Sequence, residues 1–281
     1  MNFKVRTRSY LYVPADDQEK LTKAPSRGAD ALIVDLEDSV GAGEKTLARG
    51  ILREWLKSAD LGINLWIRIN ADSIDEDLDV IVDARVAGII LPKSSSTLDI
   101  ELVSQKLLDL ERQRGLKKPL EIYALIESAK GVLNALSIAQ SNRVTKLILG
   151  ELDLRADLSL PLNAGDQVLL FARSSMVFAS AAAGIDPPIA SVSSNFRDLG
   201  EFERGTIAYG ELGYFGRTCI HPNQIEIVNR VFTSSLSEIE SAKDLLKRIE
   251  AAGGGVAIDS EGRMIDEASA KNARRIIDTH K

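Results

Sequence analysis

Short aliphatic runs alternate with amphipathic stretches along the whole chain, and any fold must satisfy that rhythm first. The runs occupy residues 10–14, 31–38, 65–70, 88–93, 122–127, 146–153, 188–192 and 216–222. Strings such as ALIVD, AGIILP and KLILG are apolar without alternation, as a strand covered on both faces of a parallel sheet requires. Between them, 44–58, 97–114, 128–140 and 167–183 carry helical periodicity, the second and fourth stopped by Gly115 and Gly184. A repeat of roughly 30 residues is that of a βα unit, and eight such units in about 220 residues predict a (β/α)8 TIM barrel. A doubly wound open sheet shares the alternation. The count of eight favours the barrel, as do the polar residues that end the runs: Glu37, Asp38, Arg68, Asn70, Lys93, Glu127, Asp153 and His221. A barrel gathers such ends on one rim, where barrel active sites lie.

The barrel is expected over residues 1–232, with a C-terminal helical or lid extension over 233–281. The pattern predicts helices over 226–231, 236–251 and 267–279, with a glycine stop at Gly253, Gly254 and Gly255 and a turn at Ser260, Glu261 and Gly262. So short an extension is expected to have no core of its own and to pack on the barrel or on a neighbouring subunit.

Composition removes whole classes of chemistry. With 35 basic and 41 acidic residues the formal charge is −6, so no positive field draws the chain to nucleic acid or an anionic membrane. No run of about 18 apolar residues and no signal-like apolar stretch occurs, so neither a spanning segment nor secretion is expected. The single cysteine, Cys219, permits no internal disulfide or thiol metal site and fits a reducing cytoplasm. Nothing around it activates the thiol, and it reads as core. Only His221 and His280 are available, which excludes a histidine-rich zinc site. No GxGxxG follows a strand, and the GAGEKT string at 41–46 lacks the spacing of a phosphate loop.

Oxygen ligands remain. Glu127 and Asp153, at the ends of consecutive expected strands, could hold Mg²⁺, which takes one or two carboxylates and keeps several waters. Each could equally pair with a nearby cation. Glu37 and Asp38 could hold metal-bound waters. Arg68 could fork onto a substrate carboxylate or bridge the same acidic cluster. By spacing alone Asp266 reads as the cap of the last helix, Lys23 as a solvated lysine and His221 as a neutral, hydrogen-bonded group. A Schiff base at Lys93 is unnecessary beside a divalent site.

These residues sit in strings that resemble the citrate lyase β-subunit-like group of the HpcH/HpaI aldolase/citrate lyase family, which includes malyl-CoA and citramalyl-CoA lyases. The strings are RSYLYVP at 8–14, GADALIVDLEDSV at 28–40, IRIN at 67–70, GIILPKS at 88–94, LIESAKGVLN at 125–134, LILGELDL at 147–154, GYFGRTCIHPNQI at 213–225 and RMID at 263–266. The resemblance implies that Glu127 and Asp153 coordinate Mg²⁺ and that Arg68 grips the carboxylate of the oxo or hydroxy acid. It implies that Glu37 and Asp38 form the acidic pair beside the metal and that Tyr12 and Lys23 contact coenzyme A. Asp266 corresponds to an acid/base aspartate supplied by the adjacent protomer of a trimer or hexamer.

The activity so implied is Mg²⁺-dependent cleavage of a short 3-hydroxyacyl-CoA, such as citramalyl-CoA or malyl-CoA, to acetyl-CoA and a 2-oxo acid. The same strings fit a citrate lyase β subunit acting on an acyl carrier protein, a malyl-CoA thioesterase, and a non-catalytic barrel that binds such ligands. The pattern is broken in places. Ala15 follows Pro14 where relatives have glycine, and Ala190 and Asn195 stand where relatives carry acids, so the half of the site that reads the acyl carrier departs more than the metal half.

Overall fold

The computed structural model describes residues 6–58, 62–161 and 164–278; His280 lies outside them. The chain divides into two units, Arg8–Val228 and a smaller one comprising residues 6–7 and 229–278 of those described.

The larger unit is a (β/α)8 barrel. Its strands are β1 (Ser9–Pro14), β2 (Ala31–Asp35), β3 (Asn64–Arg68), β4 (Gly88–Leu91), β5 (Glu121–Ile126), β6 (Val144–Leu149) and β7 (Arg217–Cys219). All pair in parallel in the order β6-β5-β4-β3-β2-β1-β7. The run expected at 188–192 is reduced to two isolated parallel bridges, Ile148 to Ile189 and Ala190 to Arg217, which join β6 to β7 and close the ring. Two prolines, Pro187 just before it and Pro188 at its first position, stand at its start, and proline offers no N–H to a ladder. Helices Lys45–Ser58, Thr97–Arg114 and Gln167–Ala183 follow the predicted periodicity, whereas 128–140 breaks at Asn134 into two short helices. Among the described residues no helix is long and apolar enough to cross a membrane.

Side chains fill the barrel. Tyr10, Ile33, Trp66, Ile90, Tyr123 and Ile148, from six different strands, form one buried cluster. Trp66 stacks on Tyr123 with ring centroids 3.5 Å apart. Gly88 makes room for that stack, since a Cβ there would lie 2.4 Å from the indole.

In the smaller unit, helices Leu236–Ala251 and Glu267–Asp278 and a two-stranded hairpin, Ala257–Ile258 with Met264–Ile265, pack around Ile249, Ile265 and Ala270. The expectation that this segment has no core is therefore corrected. The apolar stripes of two amphipathic helices and one hairpin strand are enough for a small one. Ser235 and Glu238 form a capping box at its start.

Candidate active site

Beyond the C-terminal ends of the strands lies a cavity of about 690 Å³, lined by Tyr12, Asp38, Arg68, Glu127 and Asp153 among others. The strands end earlier than the sequence runs: β2 at Asp35, β4 at Leu91 and β6 at Leu149. Glu37, Asp38 and Lys93 therefore sit on loops, and Asp153 lies in the first turn of the helix Glu151–Asp157.

Register explains the first cluster. Asp35 and Arg68 are direct partners across β2 and β3, and the guanidinium forks onto the carboxylate, Nε to Oδ1 at 2.7 Å and Nη2 to Oδ2 at 2.6 Å. Asp35 also accepts from the N–H groups of Glu37 at 2.9 Å and Ser39 at 3.0 Å, which fixes the loop. Burial pushes the Asp35 carboxyl up, but the Arg68 fork and these N–H groups hold it below the usual range. The remaining edge of Arg68, Nη1, lies 3.0 Å from Asp38 and 3.2 Å from Glu37 Oε2. The latter contact is close enough for charge attraction but not aligned as a hydrogen bond, so Glu37 Oε2 is a buried oxygen without a donor. Burial, with Asp38 adding negative charge, pushes the Glu37 carboxyl up. Tyr12 lies beneath Arg68, its ring centre 5.0 Å from the guanidinium carbon.

Glu127 follows β5 directly and is buried. One oxygen accepts the Lys93 N–H at 3.1 Å, which Lys93 presents from a left-handed backbone with φ of 54°. The Lys93 ammonium is exposed, lies 3.3 Å from Glu37 and is held charged by it, the reverse of the desolvated amine a Schiff base needs. Behind Glu127 is Gly150, where a Cβ would lie 2.6 Å from Glu127 Cγ. That absence of a side chain lets β5 and β6 bring Glu127 and the helix bearing Asp153 together. Burial, then the charges of Glu37 and Asp153, push the Glu127 carboxyl up to about 8. Asp153 is exposed and makes no hydrogen bond or ion pair among the described residues.

The set is therefore an all-oxygen pair with an excess of negative charge, suited to a hard cation that keeps water ligands. No group of three histidine, cysteine or carboxylate side chains converges as a complete cage among the described residues.

Other expected residues lie elsewhere. Lys23 is exposed at the end of the helix Gln18–Lys23, paired with Glu19, and does not line the cavity. Asp266, in the smaller unit, caps the helix Glu267–Asp278 through the Ser269 N–H at 3.0 Å, which holds its carboxyl below the usual range. His221 accepts the Asn223 N–H at 3.2 Å and stacks on Phe196. Cys219 is buried, its thiol pushed up to about 12. Ala190 is buried in the barrel closure and Asn195 sits on an exposed loop.

Several cavity residues escaped the sequence reading. Asp35 ends the ALIVD run but reads as strand, and only the β2–β3 register shows that it anchors Arg68. Glu151, Arg173, Tyr209 and Arg217 also line the cavity. Glu151 lies inside the LILGELDL string, whereas Arg173 is one charge on a helix and carries no local signal.

Known proteins resemble the chain in sequence and fold. Residues 8–222 match the HpcH/HpaI aldolase/citrate lyase family, and residues 189–280 match a family described as C–C bond lyases of the TIM-barrel fold. The chain is 33% identical to the citrate lyase subunit beta of Leuconostoc mesenteroides subsp. cremoris, over 99% of this chain and 94% of that one. It is 33% identical to a (3S)-malyl-CoA thioesterase of Cereibacter sphaeroides, over 96% and 93%. To the mitochondrial citramalyl-CoA lyase of Rattus norvegicus it is 31% identical, over 97% and 86%. The crystal structure of CitE from Mycobacterium tuberculosis, in complex with magnesium, acetoacetate and coenzyme A, superposes with a TM-score of 0.77 at 25% identity, covering 98% of both chains. On this evidence the chain belongs to the HpcH/HpaI aldolase/citrate lyase family and is an enzyme of the carbon–carbon lyase kind.

Proposed function

We propose that this protein is a Mg²⁺-dependent lyase that cleaves a short 3-hydroxyacyl-CoA, of the citramalyl-CoA or malyl-CoA type, to acetyl-CoA and a 2-oxo acid. The observation that carries the reading is the pair Glu127 and Asp153, two carboxylates at the cavity with too little positive charge around them. Bound there, magnesium would supply Lewis acidity toward the hydroxyl and the neighbouring carboxylate of the substrate. The magnesium and coenzyme A in the CitE structure support the assignment.

The residues of the chain divide the remaining work. Arg68, held by Asp35, offers its Nη1 edge to the substrate carboxylate, with exposed Asp38 yielding that edge. Glu37, raised by burial and with an oxygen lacking a donor, takes the hydroxyl proton. As the bond between the α and β carbons breaks, its electron pair passes to the thioester as an enolate. Asp266, ionised at rest, takes a proton from solvent and passes it to the α carbon, and Glu37 releases the hydroxyl proton to solvent before the next turnover. Tyr12 lines the path of the thioester and Lys23 meets the coenzyme outside the cavity. We assign Asp266 to a neighbouring protomer of a trimer or hexamer in the cytoplasm. Exposed Phe171 and Phe178, on one helix, supply an apolar face for assembly.

Incubation with Mg²⁺ and citramalyl-CoA or malyl-CoA is expected to release pyruvate or glyoxylate, trapped as a phenylhydrazone, and Glu127→Ala or Asp266→Ala to abolish release. The equal identity to a malyl-CoA thioesterase supports a second reading, in which free malate or citramalate appears instead of a keto acid. Turnover only with an acyl carrier protein would identify a citrate lyase β subunit. Tight binding of keto acid or CoA without turnover would mark a non-catalytic barrel.

A further inference from the structure

The helix Glu151–Asp157 that carries Asp153 has seven residues, and the residue before it, Gly150, supplies no side-chain cap. A helix of two turns does not hold itself. Its charged side chains alternate along it, and three of the four are tied down. Glu151 takes a two-pronged contact from Arg173, Nε to Oε1 and Nη2 to Oε2, both at 2.7 Å. Tyr209 donates its hydroxyl to the same Oε1. The Nη2 group of Arg173 continues to Asp166 at 2.9 Å, and Asp166 accepts from Arg155 of the short helix. Asp157 accepts the N–H of Ala129, two residues past Glu127, at 2.7 Å. Glu151 and Arg155, four residues apart, face the same way, whereas Asp153, two residues on from Glu151, is turned about 200° from it. Asp153 is the member left without a hydrogen bond or ion pair among the described residues.

We infer that Arg173 is a positioning residue for Asp153, acting through the ladder Glu151–Arg173–Asp166–Arg155 that fixes the helix on which Asp153 rides. The inference rests on the proposed role of Asp153 as a metal ligand. It adds a residue 20 positions along the chain, on another helix, that never touches the metal. Arg173 forks Glu151 from a part-buried position, so the geometry requires a planar guanidinium rather than any cation.

Binding of Mn²⁺, as a paramagnetic substitute for Mg²⁺, can be measured on the full-length protein by the loss of the free-ion resonance, alongside melting temperature and steady-state kinetics. In Arg173→Gln the Mn²⁺ dissociation constant is expected to rise about tenfold, the lower end for residues that orient metal ligands. The KM for Mg²⁺ should rise with it while kcat at saturating Mg²⁺ stays near wild type. Arg173→Lys should recover only part of the affinity. Should Arg173→Gln not fold, Asp166→Asn removes the charge from the two exposed rungs, to Arg173 and to Arg155, and should weaken binding by about two- to threefold.

Wild-type affinity in the folded Arg173 and Asp166 variants overturns the positioning role, as does a lowered melting temperature with no change in dissociation constant. Failure of the wild type to bind Mn²⁺ overturns the proposed metal site and this role with it. That result is separable from the first, because there the wild type binds and only Glu127→Gln does not.

Discussion

Two glutamates flank β5, equally buried and oppositely partnered. Glu111, on the helix Thr97–Arg114 with its carboxylate at the start of β5, is 5% exposed and Glu127, just past the end of β5, is 6% exposed. Glu111 receives both Nη groups of Arg143 at 2.8 Å and the Leu120 N–H at 2.8 Å, so both oxygens are satisfied. Glu127 receives one backbone N–H, no arginine fork, and the repelling charges of Glu37 and Asp153. Burial of a carboxylate thus says little about function. What separates a structural glutamate from one available to a ligand is whether the fold has already matched its charge. The rim with unmatched charge is also where the strand ends converge on the cavity.

Substitution of each glutamate should break the comparison most sharply. Glu127→Gln keeps the shape and the bond from Lys93 but removes the charge. Lyase activity should fall by about 10³-fold, the several kcal/mol a Lewis-acid contact provides, with the fold intact. Glu111→Gln should do the opposite. It leaves Arg143 buried without a counter-charge, at a stability loss of about 3 kcal/mol, while activity per folded molecule, measured below the melting transition, stays within about twofold of wild type. Equal activity losses in the two variants would refute the distinction.

A smaller effect should follow from crowding Glu127 without touching its charge. In Gly150→Ala the new methyl lies 2.6 Å from Glu127 Cγ and must push the carboxylate off its bond to Lys93. The expected outcome is about a tenfold rise in the KM for Mg²⁺, comparable with loss of an orienting partner, readable by Mg²⁺ titration of initial rates. Gly115→Ala, which meets nothing within 4 Å but sits at a φ of 66°, should lower stability by about 1 kcal/mol and leave that KM unchanged.

The same contrast explains what the sequence could disclose. Helices such as Thr97–Arg114 and Gln167–Ala183 were readable because periodicity and a glycine stop are local signals. Glu127 was readable because it directly follows an apolar strand. The seventh of the eight expected runs was overstated as a strand, because 188–192 has strand composition but contributes only a bridge on each side. Asp35 was hidden because its role comes from being opposite Arg68 in the register. Arg173 was hidden because its partner, Glu151, lies 22 residues away on another helix, a distance no periodicity spans. The reading of Asp266 as a cap describes its present contacts, and only the resemblance supplies its proposed chemical role.

Protons can probe the unmatched charge without any change of shape. In the metal-free protein Glu127 titrates at about 8, against 4.5 for an ordinary glutamate. Between those values the folded chain holds a proton that the unfolded chain has released. Stability drawn from this residue is therefore complete below pH 4.5 and lost as pH rises toward about 8. In EDTA, Glu127→Gln, which has no such charge, should melt close to wild type near pH 5 and a few degrees above it near pH 8.5, with the gap opening through the interval. Added Mg²⁺ must displace the same proton, so wild-type affinity should fall by about tenfold per unit below pH 8 and level off above it. A melting difference that stays flat across the range would mean that Glu127 is already neutralised within the fold, as Glu111 is, and the contrast between the two ends of β5 would vanish.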